Sequence, residues 1–146
     1  EREDLSGPKI QELLPDDQYE VVSYRILPDD QPAIEKELCR LADEEDCALV
    51  LTAGGTGFSV RDVTPEATLA VADRVAPGIA EAIRTYSLTI TPRAMLSRAA
   101  SAIRKQTLIV NLPGSPKIIK ECLEYVLPEI VYATETAAGE HDDVEE

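Results

Sequence analysis

Three glycines within four residues, Gly54, Gly55 and Gly57, are followed at once by Arg61 and Asp62 in the stretch LVLTAGGTGFSVRDVTPEAT, residues 49–68. Glycine admits positive φ and lets a backbone approach a ligand closely. Thr64-Pro65 has the form of a helix start, with Thr at the N-cap and Pro in the first helical position. Such a start offers unpaired N–H groups to an anion. A guanidinium forks onto phosphate, and a carboxylate can hold Mg2+. These residue types therefore favour a phosphate-bearing ligand. Thr52 and Thr56 add hydroxyls that either donate to phosphate or bond their own backbone. The turn is neither a dinucleotide fingerprint nor a P-loop, because the G-x-G-x-x-G spacing and the G-K-[ST] ending are absent. A tight structural turn with a local Arg61–Asp62 ion pair is the plain alternative.

Two more loops carry candidate groups. Asp29 and Asp30 follow YEVVSYRIL, and Asn111, Gly114, Ser115 and Pro116 close TLIVNLPGSP. Asp after Pro is common turn chemistry. On one sheet edge with Asp62, however, either aspartate could complete a metal site with water and phosphate oxygens. The third loop again brings N–H groups and a hydroxyl to a helix start.

These loops need a scaffold. Ser6 is placed to cap a helix through Leu14, and residues 19–27 are rich in β-branched and aromatic types, as strands are. Residues 31–46 place Ile34, Leu38, Leu41 and Ala42 on one helical face. A strand over 47–52 leads into the glycine turn. A helix is expected over 64–76, another from Pro77-Gly78 to Tyr86, and a short one from Thr91-Pro92. Residues 101–105 and 107–112 read as strands, 117–126 as a helix, and 128–136 as a separate final helix. Alternating strands and helices imply an α/β fold, a three-layer α/β/α arrangement with a mostly parallel sheet. In such sheets ligands bind beyond the carboxyl ends of the strands, so loops 28–32, 53–64 and 112–116 are expected to share one edge.

The 146 residues suit one domain over 1–138, followed by an acidic tail over 139–146 that holds the lone His141. A net charge of −14 argues against nucleic-acid binding. From Thr91 to Lys120 there is no acid, while Arg93, Arg98, Arg104, Lys105, Lys117 and Lys120 supply six positive charges. That stretch is either a surface for an anionic small molecule or a set of scattered cations. Cys39, Cys47 and Cys122 lack metal spacing and read as free thiols, which suits a reducing cytoplasm. No apolar run is long enough to span a membrane.

The strings RILPDDQPAIEKELCRLADEEDCALV, LTAGGTGFSVRDVTPEAT and LSRAASAIRKQTLIVNLPGSPKIIKECLE resemble the molybdopterin-binding MogA/MoaB family over residues 5–130, most closely its stand-alone adenylyltransferases. The resemblance implies the molybdopterin-binding fold and transfer of AMP from ATP to molybdopterin, with Mg2+, in a homotrimer that hands its product to a molybdenum insertion protein. It equates Asp29 and Asp62 with two functional aspartates. Gly54, Gly55, Thr56 and Gly57 then form the phosphate turn, and Gly114, Ser115 and Pro116 the second ligand loop. Relatives usually open with an apolar strand, so the resemblance also implies a first strand outside the given sequence. A nucleotide pyrophosphatase-like module, or a non-catalytic binding or scaffold domain, is the alternative on the same fold.

Overall fold

The computed structural model describes residues 5–140, and within them four strands and five α-helices form three layers. Strand β1 (Leu49–Ala53) pairs in parallel with β4 (Thr107–Leu112). β4 pairs antiparallel with β3 (Ser101–Arg104), and β3 with the two-residue β2 (Arg74–Val75), giving the order β1-β4-β3-β2. The α/β class is as the sequence implies, but the expected mostly parallel pairing is confined to β1 and β4. The reason lies in Lys105-Gln106: a two-residue link can join only antiparallel neighbours. Lys105 takes φ 54 there, and its N–H donates to Asp73 Oδ2 at 2.7 Å.

β4 is buried along its whole length. Its alternating side chains separate into two cores. Leu108, Val110 and Leu112 face α1 (Ser6–Leu13), α4 (Pro77–Leu88) and α5 (Pro116–Ala137), where they meet Ile10, Ile83, Ile119 and Leu123. Ile109 faces the other way, with Val50, toward Ile34 and Leu38 of α2 (Gln31–Asp43) and Ala67 and Val71 of α3 (Thr64–Val71). Each fully buried aliphatic side chain contributes roughly 1.5–3 kcal/mol. The sheet is thereby clamped from both sides.

Several local expectations change. Residues 19–27 form no helix or strand and pair with no strand among the described residues, and Val21, Val22, Tyr24 and Ile26 stay exposed. β propensity is realised only through a neighbouring strand. Side chains hold the segment instead: Tyr19 and Thr134 share a hydroxyl bond at 2.8 Å, and Arg25 Nη1 donates to Glu37 Oε1 at 2.9 Å. α3 stops at Val71 rather than reaching 76, because Asp73 and Ala76 N–H donate to Ile103 and Ser101 carbonyls at 2.9 and 3.0 Å and draw the chain into β2. Pro128 starts no new helix; it lies on the exposed face inside α5, between the buried Val126 and Ile130. Ser6 is the first residue of α1 rather than its cap.

All three cysteines are free, Cys122 fully buried and the other two half-buried. Burial pushes the Cys47 and Cys122 thiols up. No described helix is long and apolar enough to cross a membrane. The expectations for His141 and the last acids of the tail lie outside the described residues.

Candidate functional site

At the end of β1 the chain turns through Gly54 (φ 85) and Gly55 (φ 72), a conformation that disfavours residues with a Cβ. Gly54 N–H donates to Leu112 O at 3.1 Å, extending the parallel ladder past the strand. A Cβ on Gly55 would collide with Thr64 Oγ1, and Thr64 N–H donates to Gly55 O at 3.2 Å. The turn therefore lies tight against the start of α3, where Val63 occupies the N-cap position and Thr64 the first helical one. Further on, Ser59 N–H donates to Asp62 Oδ2 at 3.0 Å and Asp62 N–H to Ser59 O at 2.9 Å. Gly57 sits under this knot, for a Cβ there would stand 3.0 Å from Asp62 Oδ2.

The N–H groups of Gly55, Thr56, Gly57 and Phe58 make no hydrogen bond among the described residues. Successive unpaired amides of this kind form an anion-binding concavity. Arg61 is exposed, and its guanidinium has no hydrogen-bond or ion-pair partner among the described residues. The local Arg61–Asp62 ion pair is therefore not formed. Asp62 Oδ1 is likewise outside any hydrogen bond among the described residues.

The 112–116 loop abuts this turn. A Cβ built on Gly114 would lie 3.6 Å from Gly54 Cα, so a side chain of any size there would pack directly on the glycine turn. Ser115 holds the N-cap position of α5 with its hydroxyl unengaged there, and Pro116 opens the helix. Ser6 Oγ donates to Gly114 O at 2.8 Å, tying α1 to the same loop. α2 packs through Ile34 and Leu38 on Val50 of β1 and Ile109 of β4, and it precedes β1 in the chain. Asp30 caps that helix, accepting Ala33 N–H at 3.1 Å, while Asp29 beside it is exposed.

Two candidates lie underneath rather than on this surface. Asn111 is fully buried: its Nδ2 donates to Thr52 Oγ1 and Thr68 Oγ1, both at 3.0 Å, and its Oδ1 accepts Ala100 N–H at 3.0 Å. It fastens β1, β4 and α3 beneath the loops. Thr56 is also buried. The acid-free stretch does not form one basic face: Arg98 pairs with Glu66, Arg104 and Lys105 with Asp43, and Lys120 with Glu124. Among the described residues no three His, Cys, Asp or Glu side chains cluster to hold a metal.

Sequence reasoning missed Arg98, Ser59 and Ser6 as organisers of these loops. Their bonds run to backbone groups distant in the chain or to a turn whose shape no motif specifies. Arg98 counted only as one more charge. Its backbone and guanidinium in fact contact Thr56, Gly57, Asp62 and Glu66.

Comparison with known proteins gives a consistent answer. The family described as a probable molybdopterin binding domain matches residues 1–132. A molybdopterin adenylyltransferase of Helicobacter pylori is 46% identical over 146 residues, covering 99% of this chain and 83% of that protein. The Escherichia coli protein of the same name is 61% identical over 102 residues, 70% of this chain and 52% of its own length. The crystal structure of the molybdopterin biosynthesis enzyme MoaB from Thermus thermophilus superposes with a TM-score of 0.88 at 46% identity, covering 94% of this chain and 87% of that one. The Mog protein of Mycobacterium ulcerans gives 0.86 at 39% identity, covering 94% and 88%. With nearly its whole length matched, its three layers shared and its glycine turn abutting the 112–116 loop, this chain belongs to the molybdopterin-binding domain family.

Proposed function

We propose that this chain is a molybdopterin adenylyltransferase, transferring AMP from ATP to the terminal phosphate of molybdopterin and releasing pyrophosphate. The observation that carries the reading is the row of unpaired N–H groups from Gly55 to Phe58, set beside Gly114 at the ends of the parallel strands. The names of the relatives in H. pylori and E. coli support it.

The attacking group is a phosphate monoester, whose second pKa of about 6 leaves it mostly dianionic at pH 7. It needs no general base. Two phosphate-rich anions must instead be brought together against their repulsion, which calls for oriented donors and positive charge. The amides of residues 55–58 donate to phosphate oxygens, and Arg61 adds a guanidinium free to fork onto them. Gly114 and Ser115 supply a second loop at the start of α5.

Asp62, through its unengaged Oδ1, together with Asp29 would hold Mg2+, in keeping with that ion's preference for one or two carboxylates plus phosphate oxygens and water. When bound, the ion supplies neutralising charge to the phosphates. In this reading neither aspartate removes a proton. The resemblance extends the proposal to a cytoplasmic homotrimer that passes its product to a molybdenum insertion protein, and sedimentation of the purified chain tests the trimer.

The decisive experiment incubates ATP, molybdopterin and Mg2+ with the parent protein and with Asp62→Ala, following adenylated pterin and pyrophosphate. Adenylated pterin from the parent, lost in the variant, supports the reading. Free AMP without adenylated pterin would make the chain a nucleotide pyrophosphatase, and binding without product a carrier or scaffold. Full turnover by Asp62→Asn at ordinary Mg2+ would remove Asp62 from its role.

A further inference from the structure

We infer that Arg98 is a positioning residue for the glycine loop: from behind, it orients the loop so that its amides face a phosphate, without touching the ligand itself. The inference rests on the phosphate-binding reading of that loop. Arg98 leaves the chain between the 3-10 helix Pro92–Leu96 and β3. Its own N–H donates to Thr56 O at 2.8 Å, its Nε to Gly57 O at 2.7 Å and its Nη2 to Asp62 O at 2.7 Å. Its Nη1 donates to Glu66 Oε2, in the first turn of α3. One residue thus gathers three loop carbonyls.

The consequence follows from peptide geometry. In a planar trans peptide the C=O of one residue and the N–H of the next point in opposite directions. Drawing the carbonyls of Thr56, Gly57 and Asp62 toward Arg98 turns the N–H groups of Gly57, Phe58 and Val63 away from it. Those three N–H groups make no hydrogen bond among the described residues. A positive charge at the carbonyl end also polarises each peptide so that its N–H becomes a better donor.

The fork is needed as well as the charge. A guanidinium presents its N–H groups in a rigid planar array, whereas an ammonium is a point charge on a flexible stem. The backbone that carries Arg98 is itself held. Arg84 of α4 donates from Nε to Ser97 O at 3.0 Å and from Nη2 to Ala99 O at 2.7 Å, gripping the residues on both sides. Two arginines in series connect α4 to the loop.

The test uses the full chain and the variants Arg98→Met, Arg98→Lys and Glu66→Gln. Three quantities are read: amide exchange at Asp62 and Thr64, whose N–H bonds close the loop; the Kd of inorganic pyrophosphate; and kcat and KM for ATP. Arg98→Met is expected to speed exchange at both amides at least tenfold, to weaken pyrophosphate at least tenfold and to raise the KM for ATP in step, with kcat within threefold. Arg98→Lys keeps the charge but loses the fork, and is expected to weaken pyrophosphate at least fivefold; it carries the test if Arg98→Met does not fold. Glu66→Gln leaves the carbonyl bonds in place and should change each quantity by less than threefold.

A parent that binds both pyrophosphate and ATP, with a folded Arg98→Met or Arg98→Lys that matches it within twofold, overturns this inference alone. A parent that binds neither overturns the phosphate reading of the loop, and this inference with it.

Discussion

Gly54 donates its N–H to Leu112 O at 3.1 Å, and a Cβ on Gly114 would stand 3.6 Å from Gly54 Cα, so the loop after β1 and the loop after β4 share one seam. The glycines along this seam are not equivalent. Gly55 has φ 72 and no room, Gly54 has φ 85 with open space, and Gly114 has neither a positive φ nor a clash. Alanine substitutions should therefore rank in that order. Gly54→Ala is expected to cost about 1 kcal/mol of unfolding free energy, Gly55→Ala more, and Gly114→Ala less than about 0.5 kcal/mol. Urea denaturation of the three variants checks the ranking, and an equal loss at all three would contradict it.

Asn111→Ala strips the partners from the Thr52 and Thr68 hydroxyls and from Ala100 N–H beneath the loops. Leaving buried polar groups unsatisfied costs about 1–3 kcal/mol each, though Thr52 and Ala100 are only half-buried and recover part of their loss from water. The expected loss of stability is about 3 kcal/mol, read as a lowered denaturation midpoint. A loss below about 1 kcal/mol would show that water replaces the amide.

Arg61→Ala should leave the thermal midpoint where it is, because the side chain is exposed and unpartnered among the described residues. With ATP and molybdopterin as substrates, kcat/KM for ATP is expected to fall at least tenfold, which corresponds to about 1.4 kcal/mol of transition-state stabilisation. Unchanged kinetics would take Arg61 out of the phosphate contacts.

The hydrogen bonds from Arg40 hold the Glu37 carboxyl below its usual range, aided by the charges of Arg40 and Arg25 and opposed by burial. Arg104 does the same for Asp43, and Arg98 for Glu66. A carboxylate depressed in the folded state contributes stability that is fully present above its unfolded pKa of about 4 and is lost as pH falls through the folded value. The difference in denaturation midpoint between the parent and Glu37→Gln should be constant above about pH 5 and shrink below pH 4, where both side chains become neutral. A difference that grew on acidification would reverse the sign of this linkage.

Where the sequence was informative, a local rule coincided with a tertiary need. TLIVNL, apolar at all but Thr107 and Asn111, is the strand buried on both faces, and the Ile34-Leu38-Ala42 spacing is the inward side of α2. The glycine turn was legible because positive φ is a backbone requirement that few residues meet. The register partners Thr52 and Asn111 were visible only as polar residues near a loop, and the structure places them inward, bonded to each other. The segment 19–27 has the composition of a strand, but composition supplies no partner. Arg98 escaped notice because its acceptors are carbonyls, which every residue possesses and no sequence pattern marks.

The sheet order has a kinetic consequence. β3 and β4 are joined by two residues and can pair early, as hairpins form within microseconds. β1 and β4 pair only after the chain has passed through α3, β2, α4 and β3, and so long a closure slows the search for that ladder. The glycine turn hangs from that late ladder through the bond from Gly54 to Leu112. During refolding, most of the secondary structure should be in place before the seam between the two loops exists. Binding competence would then trail behind helix and hairpin formation, and the last stretch of chain to mature would be the one that meets the ligand.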